Sequence, residues 1–275
     1  ADDAANAVRR GRDAMLGAIR RLIGRRSKTR AAHFAMVLLP SDRTPSPELV
    51  LGEVRRQFPD LQVRLKNPGG KLIEFEINGC SIVTMHLPIP MGRELSDEVA
   101  RRSWMWADAR EKVVSHQTHV HVIGTGPGSA FEIATATARV AAGVCSAGRA
   151  IGVYWSSAEH VIEASSYLEC VGTDQFPMRV LVSVVVSQNE QGNRRTLTTV
   201  GLESLGHRDF EVLDSTMPGP DLVQVAWDLA AYVVMSGPVL LHGQTISRAP
   251  DAKWAIEHAE SRFNKGKKVI RLHIP

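Results

Sequence analysis

The stretch THVHVIGTGPGSAFEIATATARVAAGV, residues 118–144, joins a β-branched run to an alanine-rich run through Gly124-Thr125-Gly126-Pro127-Gly128. A glycine-rich turn before a helix either holds a phosphate on free backbone N–H groups or only bends the chain. The dinucleotide fingerprint needs an acidic residue about twenty positions on, at the end of the next strand. Residues 142–158 contain no acid, Phe131 stands where the third glycine would fall, and no lysine follows the loop as in a P-loop. The turn is therefore predicted to be structural, with Ser129 capping a helix over about 129–146.

Outward from that turn, HFAMVLLP reads as a strand, and SPELVLGEVRRQF as a helix with Ser46 as N-cap and Pro47 in its first turn. LQVRLKN, KLIEFEIN and SIVTMHLPIP read as three strands. In the middle one Leu72, Glu74 and Glu76 alternate with Ile73, Phe75 and Ile77, and Asn78-Gly79 is a hairpin signal. A helix is expected over about 97–114, then the strand HVHVIG. After the central helix come a strand AIGVYWSS, a short helix over 158–168, and a strand MRVLVSVVVSQ joined through NEQGN to RRTLTTVG. FEVLD, a helix over about 219–235, GPVLLHGQTIS and KKVIRLHIP complete the chain. The expected fold is α+β, with mainly antiparallel sheet and helices packed on one face. Two ferredoxin-like halves are an open alternative. Residues 31–275 are expected to form a single domain, with two sub-domains meeting near 125–150 as the variant.

The composition, 44% hydrophobic and 23% charged over 275 residues, suffices for a sizeable core. No apolar run is long enough to span a membrane, and no secretory-type apolar segment opens the sequence. Cys80, Cys145 and Cys170 lack zinc-site spacing and read as buried reduced thiols of a cytoplasmic protein. Nine bases and three acids give residues 1–30 a charge of +6; with a net charge of +4 the remainder carries −2. Five bases without an acid in 261–275 leave −7 for residues 31–260, so the body is acidic and both ends are basic. Residues 1–30 read as a basic arm and linker. Met15, Leu16, Ile19, Leu22 and Ile23 share one helical face, and Arg9, Arg20, Arg21 and Arg25 are candidate contacts to an anionic membrane or nucleic acid.

His119 and His121 are two apart on one strand and face the same side. With His116 and His86 they are candidate binding residues, together with Tyr154 and Trp155 at the end of the next strand. The absence of a cysteine or acid beside the pair argues against a metal site and favours hydrogen-bonded imidazoles. Ser156, Ser157, Ser165 and Ser166 lie near Glu159 and His160 in sequence, but sequence proximity is not a triad, so no catalytic residue is assigned. Glu74 and Glu76 read as a solvated strand face. Trp104, Trp106 and Trp227 are expected on helices, packed.

In order along the chain, LPIP, HQTHVHV, GVYW, TTVGLESLGHRDFEVLDS and AAYVVMSGPVLLHGQTI resemble the bacterial family called domain of unknown function 4261, over residues 33–248. His242 and Asp209 depart from that pattern. The resemblance implies a soluble α+β module and supplies no catalytic residues or cofactor. Families of this kind accompany secretion and polymorphic-toxin systems, which favours a protein partner. The leading expectation is a non-enzymatic protein-binding module, an immunity or adaptor protein of such a system. The alternatives are an enzyme or small-ligand receptor built on the histidines, and a membrane or nucleic-acid binder acting through residues 8–30.

Overall fold

The computed structural model describes residues 32–173, 176–249 and 252–275. The basic arm, with Arg9, Arg20, Arg21 and Arg25, lies outside the described residues. The fold is α+β, with two mainly antiparallel sheets.

The first sheet is antiparallel throughout, in the order β2-β3-β4-β5-β1-β6-β7. Its strands are β1 (Ala32–Leu39), β2 (Val63–Asn67), β3 (Ile73–Ile77), β4 (Cys80–Leu87), β5 (Thr118–Thr125), β6 (Gly152–Trp155) and β7 (His160–Glu163). The alternation in β3 holds: Phe75 and Ile77 are buried, while Glu74 accepts a hydrogen bond from Ser81 and Glu76 pairs with Lys66. Asn78 and Gly79 both adopt positive φ, 49° and 80°, as the two-residue turn between β3 and β4 requires.

Helix α1 (Pro47–Gln57) begins as expected, with the Ser46 hydroxyl accepting the Leu49 N–H at 3.2 Å. Helix α4 (Ala130–Ala147) lies across β1 and β5 beside α1. Its small side chains allow a close approach. A Cβ on Gly124 would stand 1.8 Å from the Thr137 hydroxyl, and one on Gly143 would stand 2.4 Å from Val54. Gly124 of the opening turn therefore serves contact between strand and helix, and Gly143 serves contact between α4 and α1.

Helices α2 (Arg93–Arg102) and α3 (Ala109–Val114) cover the other face. Val99, Ala100, Ala109 and Val113 join Phe34, Met36, Leu38, Ile123, Tyr154 and Val161 in a second apolar layer. Helices thus occupy both faces of this sheet rather than one. β1 and β5 are buried on both sides, and β1 accordingly reads as a near-continuous apolar run, whereas β5 carries two histidines on one of its faces. The single helix expected over 97–114 is two helices. Ser103 ends the first: its hydroxyl donates to the Val99 carbonyl and accepts the Val161 N–H of β7. This tertiary hydrogen bond draws the chain away from the helix axis.

Residues 158–168 are not one helix. They supply β7, paired to β6, and the start of α5 (Ala164–Thr173). Glu159 adopts φ 53° in the turn before β7, a conformation that stops helix propagation. Met178–Leu181, expected as strand, is the short helix α6, which precedes β8 (Ser183–Gln188).

The second sheet runs β11-β12-β13-β10-β9-β8. It contains β9 (Arg195–Val200), β10 (Phe210–Ser215), β11 (Thr245–Ala249), β12 (Ala252–Glu260) and β13 (Lys268–His273). β10 and β13 form its one parallel pair among the described residues. Helix α7 (Gly219–Ser236) connects β10 to the β11–β12 hairpin. β12 has no counterpart in the sequence reading. The two sheets differ in strand number and pairing, so they are not two copies of a ferredoxin-like plan. One contiguous apolar cluster nevertheless takes residues from both, from Val37 and Trp155 to Phe210 and Leu272.

Candidate functional site

The opening turn is closed by its own chain. Ser129 accepts the Glu132 N–H at 3.2 Å, and the Glu132 carboxylate accepts the Ser129 N–H at 2.7 Å. This capping box satisfies helix-end donors that an anion would otherwise use. The Ser129 N–H holds the Glu132 carboxyl below its usual range.

Register decides what the histidines do. His119 lies opposite Leu38 and Leu87, and His121 opposite Met36 and Met85, so both face the layer under α2 and α3. His86 lies opposite Val120, and therefore on the other face of the sheet. Tyr154, opposite Met36, shares the layer of His121, whereas Trp155 faces α4. The six candidate binding residues thus divide between the two faces.

His116, His119 and His121 are brought together and buried. His116 Nε2 accepts the Met91 N–H at 2.6 Å, and its Nδ1 donates to the Val113 carbonyl. His119 Nδ1 donates to the Ile89 carbonyl at 2.9 Å, which leaves its Nε2 as an acceptor. His121 Nε2 lies 3.1 Å from it and supplies the proton. His121 Nδ1 is then a buried acceptor with no partner among the described residues. Met91 N–H donation to Nε2 requires a neutral His116, and the His119–His121 contact suits neutral rings. Burial accordingly lowers all three, His119 to about 4 and His121 to about 3. No group of three metal-holding side chains occurs among the described residues. Chemically, this row fastens β5 to the segment 89–91 and to the end of α3; it offers no ionised group to a substrate.

The other sequence candidates have structural partners. Trp155 is fully buried and stacks on His33 at 6.2 Å. His160 meets the Val180 carbonyl at 2.9 Å rather than a serine. The three cysteines are buried free thiols, and burial pushes Cys145 up to about 12.

The surface that the sequence reading missed lies where the edges β7 and β8 approach each other. Trp104 and Trp106 belong to the link between α2 and α3, not to a helix. Trp104 Nε1 donates to the Val184 carbonyl at 2.8 Å, and Trp227 Nε1, from α7, donates to Val182 at 3.2 Å. Two indoles thus cap carbonyls on or beside the edge strand β8. The Arg179 guanidinium lies 5.3 Å from the Trp227 ring, in cation–π range. A small hollow opens between Trp104, Trp106, Trp227, Arg179, Val161 and Val184. Around it Trp104 is 55% exposed, Met105 56% and Val185 37%. The available signal was Trp104-Met105-Trp106 itself, an apolar triplet between two strongly polar helices.

No curated protein and no solved structure matches this chain. The model of the family described as Domain of unknown function (DUF4261) matches residues 198–273, and so bears out the resemblance over the second sheet from within β9 to the end of β13.

Proposed function

We propose that the protein is a non-enzymatic protein-binding module, an immunity or adaptor protein, that meets its partner at the Trp104–Met105–Val185 surface. The observation that carries this reading is the half-exposure of Trp104 and Met105 beside the Arg179–Trp227 stack. Tryptophan, methionine and arginine are the side chains enriched at binding hot spots. An indole already held by one hydrogen bond loses little conformational freedom on docking. The partner is a polypeptide with an apolar side chain for the hollow and a basic surround. That charge suits the −7 of residues 31–260 and makes association faster at low salt.

The test is capture from the native host at several salt concentrations, with the wild type, a Trp104→Ala/Met105→Ala variant and a distant Lys66→Ala control. The reading expects one dominant protein that is retained by the control and lost by the double variant, with circular dichroism unchanged. Equal capture by all three proteins refutes it, as does no salt-sensitive capture by the wild type.

A further inference from the structure

A second recess, separate from the tryptophan surface, lies between the two sheets. It consists of two adjoining hollows of about 380 and 260 Å³, both lined by Glu159, Val200, Glu203, Asp209 and Lys267. Hollows of this size suit a small ligand, and junctions between structural units are a preferred place for one.

The walls are held in place. Thr199 donates its hydroxyl to Asp209 Oδ1 at 3.0 Å, and the Leu202 N–H donates to the same oxygen at 3.2 Å. Gly201 (φ 127°) lets the chain pass so close to Leu181 that a Cβ would stand 2.4 Å from its carbonyl oxygen. Glu159 is paired with Arg102, and Lys267 with Glu203 at 2.8 Å. These contacts preorganise the carboxylates before any ligand arrives.

Charge is arranged by position. The three carboxylates line both hollows, whereas Arg208 and Lys268 line only the larger. The smaller adds the hydroxyl residues Ser156, Ser157 and Ser204, and the buried Ser157 oxygen has no partner among the described residues. A phosphate or other polyanion would meet three carboxylates, and a simple cation would meet Lys267, Arg208 and Lys268. A molecule with an ammonium and a carboxylate on one carbon satisfies both sets.

We propose that this cleft binds a free α-amino acid. Its carboxylate turns to Arg208 and Lys268, its ammonium to Asp209 and Glu203, and its side chain to the serine-lined hollow. The proposal is independent of the protein-binding reading, because the cleft and the Trp104 surface share no lining residue.

The test exposes the full chain to each of the twenty L-amino acids at about 10 mM, a concentration that detects millimolar affinity. The readouts are the melting temperature and then titration calorimetry. At least one amino acid should raise Tm and bind saturably. The amine and the carboxylic acid corresponding to its two halves should each bind at least about tenfold more weakly. Asp209→Asn keeps an acceptor for Thr199 and Leu202, and Arg208→Ala alters an exposed residue, so both variants should fold. Each should weaken binding by about ten- to a hundredfold, as for the loss of a charged hydrogen bond. The proposal is overturned if no amino acid binds saturably, if either half binds as well as the whole, or if both folded variants bind like the wild type.

Discussion

On one face of the first sheet, His119 and His121 of β5 and His116 just before it lie buried with α2 and α3; in the second sheet, Glu211 lies fully buried beside Arg271. The first region keeps its polar groups by leaving them uncharged: each ring spends a proton on a carbonyl or on the next ring. The second keeps a charge and surrounds it. Glu211 accepts from the Ser261 hydroxyl, the Arg262 N–H and Arg271, and Arg271 also reaches Glu257. A neutral row fails when protons are supplied, whereas a charged knot fails when one member is removed.

The largest way to break this comparison is pH. Burial depresses the folded values of His119 and His121 to about 4 and about 3. Between pH 6.5 and about 4 the unfolded chain therefore takes up protons that the folded chain refuses. Stability should fall as pH is lowered through that window, by about 3 kcal/mol for each such histidine. His33, lowered to about 4, adds in the same direction. Asp209 works in the opposite sense. Its folded value is raised by burial to about 6, so it gains stability as pH falls from about 6 towards 3.8. Several histidines outweigh one aspartate, so urea denaturation across pH 7 to 4 should show a net loss. A His119→Asn/His121→Leu variant should have a flatter profile. A wild-type profile that does not fall would end the neutral-row interpretation.

The next effect belongs to the charged knot. Glu211→Leu should cost about 3–5 kcal/mol, since Arg271 and the β12–β13 loop donors lose their acceptor inside the fold. Glu211→Gln should cost less, because one oxygen remains to accept. Equal losses would show that geometry rather than charge matters there.

Gly124→Ala should follow at about 1–3 kcal/mol, because the new methyl meets Thr137 across the strand–helix contact. Combining it with Thr137→Ala should recover part of that loss, a non-additivity expected only of groups in contact. Chemical denaturation of the single and double variants measures the coupling. The smallest change is Ser129→Ala, at about 1 kcal/mol from one lost helix cap. It should leave the midpoint of the pH profile unmoved.

Much of the fold was legible because many elements are specified by neighbours in sequence. Ser46 before Pro47, Asn78-Gly79 and Ser129 with Glu132 each mark a boundary through contacts a few residues long. The readings failed where a distant partner intervened. Ser103 ends a helix because β7 donates to it, and residues 160–163 are a strand because β6 is there to pair with them. The candidate site divided in the same way. The residue types marked the histidines as candidates, but nothing local shows that His86 and His121 face opposite sides, since that depends on which residue of β4 stands against which residue of β5.

By itself, then, the order of residues determined the periodic segments, their caps and turns, the acidic body and the absence of a phosphate-loop pattern in the opening turn. These properties follow from local sterics, hydrogen-bonding capacity and charge. Only the tertiary structure decided that the histidines are dry and neutral, that Trp104 stands half in solvent over a sheet edge, and that Asp209 and Glu159 line one cleft between the sheets. Those outcomes rest on strand register and on the packing of segments far apart in the chain, which periodicity does not encode.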